Sequence, residues 1–320
     1  MKTRVSQCLH RHLTDIDPQR EMDSKEWDRQ ANICIVRATT ALHDELAGYS
    51  KEQRDHISDM FNSMAATNRA IRQLLGPGWG DPSSVDAVAL ARLQLEGLFA
   101  LCLMFESPKY VDRFRQDYWR KSYIQYLLIR EETLTLPSFQ ELASKTPVDL
   151  LRLGLHFGVT NAPICTVENE ELGKPLPHGV RKEPITRFPT PGKTIDLIPQ
   201  GDKRPILERL YQKYLHLCSF AHGSGEANLF KIMFDERSPH ARFATDNERA
   251  ERFQSNVAGE AFTTSFFSIA QAAAELTASY PKSTDLPGAA IIAWDQLSVA
   301  SFWTKAVWEI RTRNLLGAIR

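Results

Sequence analysis

The chain of 320 residues has five cysteines but no CxxC pair. Cys8, Cys34, Cys102, Cys165 and Cys218 are widely scattered and odd in number, which argues against a disulfide framework and a structural zinc site. A reduced cytoplasm is the plain expectation. Net charge is absent too: Lys plus Arg is 39 and Asp plus Glu is 39, so no global basic field gathers nucleic acid or membrane non-specifically. The longest uninterrupted apolar run, 98–105, falls far short of the ~20 residues that span a bilayer, and the N-terminus has no apolar core of a secretory signal. Strand-length runs of Val, Ile and Thr are almost absent. What remains is 42% hydrophobic and 24% charged, the composition of an ordinary globular protein with one large domain or two smaller ones.

Helical periodicity fills most of that space. Residues 1–35 are polar and mixed, and read as an arm or a short helix with a weak cap. From Ser50 apolar residues recur at Ile57, Phe61, Met64, Ile71, Leu74 and Leu75, with Ser50 as N-cap and Gly76 as stop. Ser83 or Ser84 starts a second helix reaching about 107, Pro108 opens a third through about 132, and shorter helices fit 137–145 and 147–157. The stretch 159–205 holds eight of the 17 prolines and no sustained pattern, and seven basic residues face three acidic ones over 174–204. So long an irregular insertion is a binding loop, a lid or a connector. Helices resume at 204–221, 247–279 and 288–316. The expectation is an all-α multi-helix bundle: an arm at 1–35, helices over 36–158, a Pro-rich and basic loop at 159–205, and helices over 206–320 sharing one core with the first set.

Two helices carry candidate chemistry. Spacing residues every 100° from Val88 places apolar side chains nearly all round the second helix, so it is expected to be buried. Arg92 and Glu96, at i and i+4, fall on the face of Val88, Phe99 and Leu103. A buried ion pair costs several kcal/mol per ion unless geometry and further hydrogen bonds compensate, so it marks either a structural network or a site. Over 204–221, Leu207, Leu210, Tyr211, Tyr214, Leu217, Cys218 and Ala221 form one apolar stripe. His222 falls roughly 80° from its centre, before Gly223 at the helix end, where it is a ligand-binding or a capping histidine. Arg209 and His216 share the opposite face.

Arg92-x3-Glu96 on an apolar helix, followed by Ser219-x2-His222-Gly-Ser224 at a helix end, resembles a bacterial all-helical family of unknown function, distantly similar to HEPN (higher eukaryotes and prokaryotes nucleotide-binding) proteins. The likeness covers roughly 85–235. It implies a ribonuclease or nucleotide-processing protein, in a toxin or phage-defence setting, that pairs into a homodimer. HEPN ribonucleases carry an Arg, a polar residue, spacers and a His on one helix; Arg209 and His216 approximate this, with Leu210 where the polar residue is expected. RNA cleavage without metal needs a base for the 2′-hydroxyl proton and a cation for the phosphate, roles that a His and an Arg fill. Two versions of the site follow: Arg92, Glu96, Ser219 and His222 across two helices, or Arg209 and His216 on one. One helix face cannot serve both, because His216 and His222 point roughly 120° apart; the first is preferred because its groups should be partly buried and convergent. The alternative function is a non-catalytic interaction module with a structural Arg-Glu-His network and a partner on the 159–205 loop.

No cofactor or metal is expected. Cys8-x-His10-x-His12 matches no standard zinc spacing. Gly76-Pro-Gly-Trp-Gly is turn chemistry, and Thr190-Pro-Gly-Lys-Thr194 lacks the leading frame of a phosphate loop. The helix 108–132 interleaves aromatic and basic residues, which can hold single-stranded nucleic acid, but its commoner explanation is core aromatics with a solvated charged face.

Overall fold

A computed structural model describes residues 24–46, 48–75, 84–133, 149–150, 152–154, 187–201, 203–221 and 247–279. The fold is all-α: among the described residues there is no strand. Among the described residues the helices include α1 (Ser24–Glu45), α2 (Lys51–Leu75), α3 (Ser84–Met104), α4 (Pro108–Thr133), α5 (Pro191–Leu197), α6 (Lys203–Ala221) and α7 (Asn247–Ser279). The chain forms two compact units, Met1–Glu106 with Pro191–Arg320, and Ser107–Thr190.

In the first unit α3 is the hub, with α7, α2, α6 and α5 packed around it. Its sequence is apolar on every side, and Val88, Leu95, Leu98, Phe99, Leu101 and Leu103 are all buried. Each such side chain removed from water contributes about 1.5–3 kcal/mol. By length and composition Asp86–Met104 could cross a membrane, yet 67% of this stretch is buried by protein. An all-round apolar helix must be covered by something, and here neighbouring helices do it.

α2 begins where local chemistry dictates. Gln53 N–H donates to Ser50 Oγ at 3.3 Å, and Ser50 N–H donates to Gln53 Oε1 at 2.9 Å, a reciprocal cap that satisfies two amides at once. Ile57, Phe61, Met64, Ile71 and Leu75 then form its buried stripe. A polar tie crosses the core: Gln94 Nε2 on α3 donates to Met64 O at 2.7 Å and to Ser265 Oγ at 3.1 Å, and Ser265 on α7 donates to Asn68 Oδ1 on α2 at 2.7 Å. All three side chains are buried.

Two expectations need correction. α1 runs unbroken across residue 35, where the polar arm was expected to end, because Ala31, Cys34, Ile35 and Ala38 sit at helical spacing and bury one face. Burial pushes the Cys34 thiol up to about 12, against a smaller opposing pull from Arg37. Within the expected irregular stretch 159–205, Pro191 opens the short helix α5 at the position where its missing N–H costs nothing, and Thr194 and Ile195 are buried. Residues 1–23, 47, 76–83, 134–148, 151, 155–186, 202, 222–246 and 280–320 lie outside the described residues. They include Cys8, His10, His12, Gly76, the expected helices 137–145 and 288–316, and most of the Pro-rich stretch.

The second unit is built on α4. Trp119 stacks on Tyr123 with ring centroids 5.2 Å apart, and Trp119 Nε1 donates to Leu150 O at 2.7 Å. Gly154 belongs to a helical stretch, and a Cβ there would meet Trp119 Nε1 at 2.9 Å, so only glycine allows this approach. Asp117, itself buried, binds Arg120 and Lys121, while Arg113 donates twice to Arg187 O. Arg120 and Lys121 are thus compensated within α4, and its aromatics Trp119 and Tyr123 are buried, while Tyr118 is exposed.

Candidate functional site

α3 and α6 pack side by side and bring the first candidate pair together with a residue that sequence reasoning placed elsewhere. Arg92 Nε and Nη2 both donate to Glu96 Oε1, at 3.2 and 2.9 Å, as the i, i+4 spacing allows. From α6 the Tyr214 hydroxyl donates to the same oxygen at 3.0 Å. The Arg92 guanidinium also stands 5.8 Å over the Tyr214 ring. Phe99, one turn along α3, meets Tyr211 and Tyr214 edge-on at 6.4 and 6.1 Å, and those two rings stack at 5.8 Å. Gly192 of α5 lies so close that a Cβ there would meet the Tyr211 hydroxyl at 2.9 Å.

The pair is partly buried: Arg92 and Glu96 side chains are 18% and 34% exposed. Leu93 beside them is also exposed, which places this segment at the edge of the otherwise enclosed α3. Partial exposure removes most of the desolvation cost that full burial would impose on the ions. Burial pushes the Tyr214 phenol well above its usual range, and its hydrogen bonds to Cys218 and Glu96 and the charge of the Glu96 carboxylate push in the same direction. Tyr214 is therefore a neutral donor at physiological pH.

The other candidates divide. Ser219 belongs to α6, but its side chain, like the whole of His222, lies outside the described residues. Arg209 is exposed, and His216 is exposed with Nε2 3.8 Å from Glu260 Oε1, a carboxylate that also pairs with Lys213. Tyr214 and His216 are two residues apart on one helix and point to opposite sides, so His216 cannot join the Arg92–Glu96 group.

Sequence reasoning missed the role of Tyr214, which it counted into an apolar stripe. The available signal was its hydroxyl, since a tyrosine on a buried stripe needs a partner for its O–H. A second group went unnoticed. Lys203 at the start of α6 pairs with Glu106 and lies 3.9 Å from Glu275 Oε2; buried Glu275 also accepts from Gln271 Nε2 at 2.5 Å. It joins the end of α3, α6 and α7 by charge. Among the described residues no three His, Cys, Asp or Glu side chains are placed to hold a metal ion. Comparisons of the chain with protein-family models, with curated proteins and with solved structures return no match.

Proposed function

We propose that this chain is a HEPN-like, metal-independent ribonuclease or nucleotide-processing protein, working in the cytoplasm as a homodimer in a toxin or phage-defence setting. Its site is centred on Arg92 and Glu96, with Ser219 and His222 contributed from the end of α6. The observation that supports this reading most is the part-exposed Arg92–Glu96–Tyr214 group between α3 and α6, the two helices that carry the resemblance.

The test is incubation of the purified protein and of its His222→Ala and His216→Ala variants with mixed tRNA and single-stranded RNA, with and without EDTA. Cleavage by the wild type and His216→Ala, and its loss in His222→Ala, is the expected result. Absence of cleavage in every sample, with circular dichroism of a folded helical protein, would refute it. Light scattering tests the dimer.

One observation favours a second reading, a non-catalytic interaction module. Arg92 directs both Nε and Nη2 to Glu96 on its own helix, an intramolecular pairing of the kind a structural network requires. On that reading Arg92→Ala lowers the melting temperature and no RNA is cut, and the partner binds through the 159–205 segment.

A further inference from the structure

We draw no further inference here: the strongest candidate, the apolar surface patch of exposed Leu93 on α3 and exposed Leu215 on α6 where the two helices pack side by side, carries nothing because nothing in the structure shows what covers it.

Discussion

At the scale of single residues, Tyr214 is where chemistry and folding meet. Its raised phenol links stability to alkaline pH, and the sign can be worked out. An unfolded tyrosine loses its proton near pH ~10, whereas folded Tyr214 still holds its own. Above that pH the unfolded state binds fewer protons than the native state, so stability falls as pH rises towards the folded value. The contribution is complete below pH ~10. Between about pH 9 and 11 the melting temperature of Tyr214→Phe should therefore decline less steeply than that of the wild type. Equal slopes would show that Tyr214 ionises normally. The same residue shows why the site was only half legible. Arg92 and Glu96 stand out in the sequence because two charges interrupt an apolar helix at a spacing that pairs them. Tyr214 does not, because its partner lies 118 residues away and no spacing within α6 encodes that contact.

At the scale of elements, the long helices were readable because their ends are written locally. Ser50 and Gln53 cap α2 reciprocally, Pro108 opens α4, and the runs 203–221 and 247–279 carry sustained apolar patterns. α5 was not readable: seven residues make about two turns, too few for a period to emerge inside a Pro-rich stretch. The continuation of α1 across residue 35 was hidden because small side chains, Ala31, Cys34 and Ala38, form much of its buried face. Helix registers inside the first unit rest partly on the Gln94–Ser265–Asn68 tie, which no single-helix pattern reveals. Replacing Gln94 by Leu keeps similar bulk but removes both donors and leaves buried oxygens short of a partner. It should cost about 1–3 kcal/mol in a denaturant melt, and a change within a few tenths would show that the tie is neutral.

At the scale of the whole molecule, the first unit is assembled from two separated stretches of chain. Residues 107–190, which form the second unit, stand between the two in sequence. The expectation that helices before and after the Pro-rich stretch share a core was drawn from helix lengths alone. α6 and α7 do pack on α3. The boundary at 106–107 left no trace in composition, because Pro108 reads equally well as the start of one more helix in the same bundle. The charge cluster of Glu106, Lys203 and Glu275 ties the last residue before that crossing to α6 and α7, which follow the return.

The insertion has a consequence in time. A ribosome adds about 5–20 residues per second, so several seconds pass between the emergence of α3 and that of α5, α6 and α7. Throughout that interval α3, the most apolar helix among the described residues, is covered by its earlier neighbours at most. Nascent chains arrested before residue 191 should accordingly be captured by holding chaperones or sediment with aggregates. A gene recoded to slow translation across 107–190 should raise the insoluble fraction, and equal solubility from both genes would show that α3 is already sheltered. The completed protein hides α3 by packing; during synthesis its safety depends on how soon the rest of the message is read.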